Sequence, residues 1–372
     1  MRDELAENLL AKVMAWSDEE KARERALLQD LARYKFDEYQ QYAPGRRFIE
    51  SLALWLRQFH DPDDRRIAYA FIRDRLIFIS TAEMRQLVEL TFPAVVRPVL
   101  IAKAASDSGL PPLRVKHIVA SHDYQKALRQ TLFLGLSDGA HTDLFRRSNP
   151  EISNEQLWHA YDFSDEKAKS MAEKLRSDLT QTLGRQPSEA EACFHTICLL
   201  DDFTASGTTY IRHDDATGWE GKIPRILGWL IDEQSALCSI VAKADVKVLV
   251  CIYVASDQAI RHITQHLDRF TFGKGSVELH VIHPLSPDAV LDDKRDAGIL
   301  RLAMDDRYFD PTADDEHSAV GGRSSRLGYA ECRLPVALSH NTPNNSIFLL
   351  RAEHAHTFRG LFPRVSRHKR AG

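Results

Sequence analysis

The sequence is short of several things, and each shortage excludes something. Its longest strongly apolar run, "KVLVCIYVA" at 247–255, is far shorter than the roughly 20 residues a membrane-crossing helix needs. The N-terminal "MRDELAENLLAKVMAW" is too charged for a secretory signal. No membrane partner is expected, and the expected setting is the cytoplasm. Cysteine is scarce: Cys193, Cys198, Cys238, Cys251 and Cys332 are odd in number and form no CxxC pair, which argues against a disulfide framework or a structural zinc. Excess charge of either sign is also missing. Lys and Arg total 49 against 53 Asp and Glu, a net charge of -4, so no global field attracts a polyanion and a nucleic-acid role is left open. Internal repeats and low-complexity tracts are absent.

What is present changes character near residue 110. From 2 to 109 hardly any glycine interrupts apolar residues at helical spacing, which predicts helices that include "RRIAYAFIRDRLIFI" (65–79) and "MRQLVELTF" (84–92). Ser80 and Glu83 have capping-box spacing. The stretch "DSGLPPLR" (107–114) is the expected boundary between a helical domain, 1–109, and a second domain, 110–372, that ends in a cap segment. In the second domain short apolar runs alternate with amphipathic stretches. "LRQTLFLGL", "CFHTICLL", "VKVLVCIYV" and "SVELHVI" read as strands; 165–181, 224–243 and 258–270 read as helices. This is the pattern of an α/β fold with a mainly parallel sheet and flanking helices, here with an N-terminal all-helical domain. The segment 321–351, with "GYAECRLPVAL" and "SIFLLR", supplies edge strands or a cap. "DDRYFDPTADDEH" (305–317) reads as a mobile acidic loop.

One stretch carries chemistry: "ICLLDDFTASGTTYIR", 197–212. A buried strand would end at Leu200, residues 201–209 would turn, and Gly207 to Ile211 would open a helix. Ligands of open α/β sheets bind at such strand ends. Backbone N–H groups of Ala205, Ser206, Gly207, Thr208 and Thr209, with the hydroxyls of Ser206, Thr208 and Thr209, suit a phosphate, and Gly207 lets the backbone come close to it. Asp201 and Asp202 repel that same anion and must face something else. A ribose diol fits, with a substrate-bound Mg²⁺ easing their mutual repulsion. The two halves together suggest a ribose 5-phosphate. A strand end followed by an ordinary capped turn is the simpler alternative.

This stretch resembles the phosphoribosyl-pyrophosphate (PRPP) motif of the type I phosphoribosyltransferases. The resemblance implies that Asp201 and Asp202 are the catalytic acids at the ribose hydroxyls, that Ala205 to Thr209 bind the 5′-phosphate, and that Mg²⁺ arrives with the substrate. Ala205 stands where some purine-converting members carry an acid, which makes that type less expected. A second family element, a pyrophosphate loop, has its counterpart in Ser137, Asp138, Gly139 and Ala140, with Arg146 and Arg147 following. A plain strand-turn-helix connection explains that stretch equally well.

More of the chain is similar to a narrower group, phosphoribosyltransferase-like proteins encoded beside bacterial conflict and anti-phage systems, some in retron loci. The shared stretches are Gly135 to Ala140, Leu200 to Thr208, His340 to Asn345 and Leu361 to Arg364. This implies PRPP or a nucleotide as ligand, phosphoribosyl or glycosyl transfer or cleavage, and a defence-system protein partner or a homo-oligomer. A non-catalytic nucleotide sensor and a structural subunit with a relic pocket are the alternatives. "SHNTPNNSIF" (339–348) suits a nucleobase edge or an ordinary turn. His354 and His356 lack a third metal ligand, and the basic tail "FPRVSRHKRAG" reads as a solvated end.

Overall fold

The computed structural model describes residues 3–161, 164–314, 324–353 and 357–365. The chain forms two compact units, Met1–Glu83 with Ser286–Gly372, and Met84–Leu285. The compact units thus divide the chain within helix Thr81–Thr91, and its C-terminal part belongs with its N-terminal part. Among the described residues the strands are β1 (Ile77–Ile79), β2 (Thr131–Gly135), β3 (Leu157–His159), β4 (Thr196–Thr204), β5 (Arg212–Asp214), β6 (Gly218–Glu220), β7 (Val246–Ala255), β8 (Gly275–Pro284) and β9 (Val336–Leu338).

The second unit is built on a five-stranded sheet of order β3-β2-β4-β7-β8, every pairing parallel. A parallel sheet is covered on both faces, which is why β4 and β7 read as nearly continuous apolar runs. Leu132, Ile197, Leu199, Val248 and Val250 are fully buried in one core with Met171, Leu175 and Leu179 of helix Asp165–Leu183. Helix Asp257–Leu267 is close to expectation, whereas 224–243 divides into Lys222–Ile231 and Ala236–Ile240. The break comes where Ser235 caps the second piece through Leu237 N–H. Counted within the sheet, the strand order is 2-1-3-4-5. The direction of winding therefore reverses between β2 and β4, and the crevice of this fold opens at their C-terminal ends.

The first unit is largely helical, with Asp3–Met14, Asp18–Tyr34, Phe48–Leu56 and Pro62–Arg75. Reciprocal Ser17–Glu20 bonds start the second helix, and Asp61 caps the fourth, with Pro62 in its first turn. The fourth stops at Arg75 although helical spacing continues to Ile79. Ile77–Ile79 instead pair in parallel with β9, Ile77 N–H donating to Pro335 O at 2.8 Å, so a long-range pairing overrides helical propensity. Of the two C-terminal stretches expected as strands or a cap, the first supplies β9, which forms a two-stranded sheet with β1, and "SIFLLR" forms the short helix Phe348–Arg351. Ser80 and Glu83 do exchange both capping-box bonds, at 2.8 and 3.1 Å.

Two more stretches are packed into this unit. "SHNTPNN" is used up in holding this unit together: Thr342 Oγ1 lies 2.9 Å from Tyr39 OH, and Asn345 Nδ2 donates to Tyr329 O at 3.2 Å. That is turn chemistry. In the acidic segment Tyr308 and Phe309 are buried and Asp310 caps a short turn, so 305–314 is packed rather than a loose loop. Residues 315–317, His354, His356 and the tail from 366 lie outside the described residues.

Asp64 is the electrostatic tie of this unit. It is 4% exposed and accepts from Arg301 at 2.6 Å, Tyr308 OH at 2.9 Å and Arg307 at 3.3 Å. Burial pulls its carboxyl upward, but the bonds from Arg301 and Tyr308 and the two guanidinium charges outweigh that and hold it below the ordinary carboxylate value. A folded carboxyl depressed in this way contributes fully above the unfolded value and loses its contribution as pH falls through the folded one. Asp64→Asn is therefore expected to cost about 1–3 kcal/mol at neutral pH. In urea unfolding the wild-type and variant curves should converge in acid, and equal stability at neutral pH would contradict the tie.

Candidate functional site

Three parallel strands deliver the site. β2 ends at Gly135 and leads into Ser137–Ala140; β4 leads into Ala205–Tyr210; β7 ends at Ala255 beside Ser256. The sheet corrects the expected turn at 201–209, because β4 stays paired with β7 as far as Thr204↔Ala255. Asp201 and Asp202 are thus strand residues. Successive strand residues project to opposite sides, so the two acids meet different surroundings.

Asp201 is sealed inside, 1% exposed. One of its oxygens accepts from the Ser137 hydroxyl; the other accepts from Tyr210 OH at 2.6 Å and from the Lys222 ammonium. Burial pushes the Asp201 carboxyl up and the Lys222 charge pulls it back, with burial dominant. Burial, and the Asp201 charge next to it, push the Tyr210 phenol well up, so it remains a donor. The Lys222 ammonium also lies 5.0 Å from the centre of the Tyr210 ring. Asp202 is half-buried, and its Oδ1 accepts Phe203 N–H at 2.8 Å.

The expected helix does not open at Gly207. The chain turns, with Tyr210 N–H bonded to Gly207 O at 2.9 Å, and then leaves as a hairpin of β5 and β6. Arg212 pairs with Glu220 across its base, and Asp214 Oδ1 accepts Ala216 and Thr217 N–H at 2.8 and 3.1 Å in its turn. Gly221 brings the chain back at φ +116°, where any side chain would fall 2.5 Å from Tyr210 O. The helix starts at Lys222, whose N–H bonds to Thr209 O at 3.0 Å, while Ile223 N–H bonds to Tyr210 O at 2.9 Å. The hairpin is an excursion between the loop and the helix that follows it.

Within the loop, Gly207 N–H donates to Thr204 Oγ1 at 3.3 Å and Thr208 N–H to Ser206 Oγ at 3.4 Å, and the Ser206 and Thr208 hydroxyls lie 2.9 Å apart. Ala205 and Ser206 are buried and Thr209 is exposed. Ser256 links this loop to helix Asp257–Leu267, donating to Ala205 O and accepting Ala259 N–H. The His262 Nε2–H of that helix donates to Ile211 O at 2.8 Å, and burial holds its imidazole below the usual value.

The loop after β2 lies against the same strand. A Cβ on Gly139 would overlap the Asp202 carboxylate, and Tyr253 OH of β7 donates to Ala140 O at 2.6 Å. Asp138 is exposed and accepts from Tyr161 OH at 2.8 Å. Arg146 and Arg147 both pair with Asp143, on helix Thr142–Ser148. The structure therefore brings Ser137, Gly139, Asp201 and Asp202 together, with Ala205 to Thr209 following directly in the chain. Sequence reasoning missed Lys222, Tyr210, Tyr253 and His262. Gly218 and Gly221 around "TGWEG" are the one local signal of the hairpin that positions Lys222.

An Mg²⁺ held by both acids does not fit this arrangement, since both Asp201 oxygens already accept from protein donors. Among the described residues no group of three or more His, Cys, Asp or Glu is arranged for a metal ion, and no helix is long and apolar enough to cross a membrane. A family model described as PRTase-CE matches residues 52–364. No curated protein and no solved structure matches the chain.

Gly207 provides a test of the loop. It has φ +77°, and a Cβ there would meet Ala259 O at 3.0 Å, His262 Cδ2 at 3.0 Å and Ile263 Cγ1 at 3.1 Å. The expected space beside an anion is instead filled by a helix. Gly207→Ala should then lower stability by about 1–3 kcal/mol, from backbone strain and overpacking together. Chemical denaturation measures it, and an unchanged midpoint would contradict this loop conformation.

Proposed function

The chain belongs to the PRTase-CE family, a phosphoribosyltransferase-type family, and from that premise we propose that it binds PRPP or a nucleotide in the crevice between β2 and β4. On this reading it transfers or removes a group at the ribose anomeric carbon. The observation that carries the reading is the reversal of strand order between β2 and β4, with Gly139 of one loop against Asp202 of the other. Asp202 accepts from a ribose hydroxyl, the loop 205–209 takes the 5′-phosphate, and Ser137–Ala140 receives the leaving group. The bond from the anomeric carbon to the leaving oxygen breaks, an acceptor lone pair forms the new bond, and the departing group keeps the electron pair. Positive charge develops on the ribose in between, and the carboxylate of Asp202 stabilises it electrostatically. Asp201 is a positioning residue here, since its oxygens are occupied inside the protein.

That sealing of Asp201 favours a second reading, a sensor that binds the nucleotide and performs no chemistry. The resemblance carried by Gly135–Ala140 and Leu200–Thr208 adds a bacterial defence role to either reading. Plaque counts on cells with and without the chain test that role, and equal counts remove it.

Incubation with PRPP, Mg²⁺ and a panel of bases, followed by chromatography, separates the two readings. Release of pyrophosphate by wild type, reduced at least about tenfold in Asp202→Asn with melting unchanged, is the outcome expected of the enzyme. Asp201→Asn should instead lower the melting temperature, because it leaves the Lys222 ammonium facing a neutral amide. Binding without release across the panel favours the sensor. Absence of binding overturns both.

A further inference from the structure

Lys222 lies 21 positions beyond Asp201 in the chain, past a turn and a hairpin, yet its ammonium reaches the buried carboxylate. Three features fix it there. Its backbone N–H is bonded to Thr209 O at 3.0 Å, Gly221 before it packs on the Tyr210 backbone, and its ammonium lies over the Tyr210 ring. Its side chain is 20% exposed against 1% for Asp201, so the cation is on the solvent side of the pair. The backbone that fixes it belongs to the loop 205–210, the segment expected to hold a phosphate.

The charges then count as follows. Asp201 and Lys222 cancel, so the two adjacent acids no longer confront each other as two like charges. Mg²⁺ requires near-octahedral oxygen ligands at about 2.0–2.1 Å. To reach Asp201 it would have to displace an ammonium and a phenol that already satisfy the carboxylate. The usual electrostatic reason for a divalent ion beside two adjacent acids, to relieve their repulsion, is met here by a side chain.

We propose that Lys222 is the resident cation of this crevice, supplying beside the acid pair the positive charge that a divalent ion would otherwise bring, so that a phosphoribosyl ligand binds without Mg²⁺. The proposal rests on the phosphoribosyl reading above and goes beyond it in assigning the charge balance to one residue.

The test is calorimetry of the full chain with ribose 5-phosphate, chosen because it lacks the pyrophosphate that chelates Mg²⁺ by itself, in EDTA and in excess Mg²⁺. Wild type should bind with a Kd that differs by less than about threefold between the two buffers. Lys222→Met should bind about tenfold or more weakly in EDTA and recover in Mg²⁺, because the Asp201 charge is then unbalanced. Lys222→Arg should keep the wild-type pattern. The double variant Lys222→Met with Asp201→Asn removes both charges and should show no Mg²⁺ dependence, which keeps the proposal open to refutation even where the single variant does not fold. Mg²⁺-dependent binding by wild type, or by the double variant, overturns the proposal and leaves the phosphoribosyl reading standing. No binding by wild type in either buffer, with AMP as a second probe, overturns both.

Discussion

A carboxylate at the centre of a parallel sheet is the constraint around which this site is organised. Taking Asp201 out of water costs several kcal/mol unless donors surround it. The donors come from beyond the strands: Ser137 from the loop after β2, Tyr210 from the turn after β4, and Lys222 from the start of the next helix. Three separate segments are thereby held to one point. The point is where the winding of the sheet reverses, and the buried acid thus fixes the shape of the crevice whether or not it touches a ligand.

Close backbone approach completes the arrangement, and it explains the glycines at three positions. Gly139 allows the β2 loop to lie on Asp202, Gly207 allows the turn to lie on helix Asp257–Leu267, and Gly221 allows the hairpin to return to Tyr210. In each case a Cβ would meet something already in place. Tyr253 and Ser256 of the adjacent strand end secure the same two loops from below, by bonds to Ala140 O and Ala205 O. The loops are therefore rigidly seated at their bases, with Asp138 and Thr209 at their exposed tips.

Much of this was legible in the residues, for physical reasons that also mark the limit. The strand cores of β2, β4 and β7 show as apolar runs because both faces of a parallel sheet are buried, the half-exposed edge strand β8 shows instead as alternating apolar and polar residues, and the Ser80–Glu83 capping box is a local interaction written in local sequence. The end of β4 was not legible. Asp201 and Asp202 look like a strand terminus by composition, but the partner strand β7 continues to Ala255 and keeps them paired. Nor was the pairing of β1 with β9, which joins residues more than 250 apart in the chain, or the identity of the cation beside Asp201. Contacts decided by distant segments leave no periodicity to read.

The cradle itself follows from energies that can be compared. The N-terminal N–H groups of helix Lys222–Ile231 are already bonded to Thr209 O and Tyr210 O, so the helix end does not supply the open donors expected of it. What remains is the loop, whose internal bonds at Gly207 N–H and Thr208 N–H span 3.3 and 3.4 Å, longer than the usual 2.9–3.0 Å. Such long neutral bonds are weak. Bonds from the same N–H groups to a phosphate oxygen are charge-assisted and roughly twice as strong as neutral ones. On the phosphoribosyl reading proposed above, a phosphate at the loop would take those N–H groups from the Thr204 and Ser206 hydroxyls, and the freed hydroxyls would become further donors to the anion. The loop is closed on its own side chains, and the ties at its base, from Ser256, His262 and Lys222, fix its backbone from three directions whether or not an anion is bound.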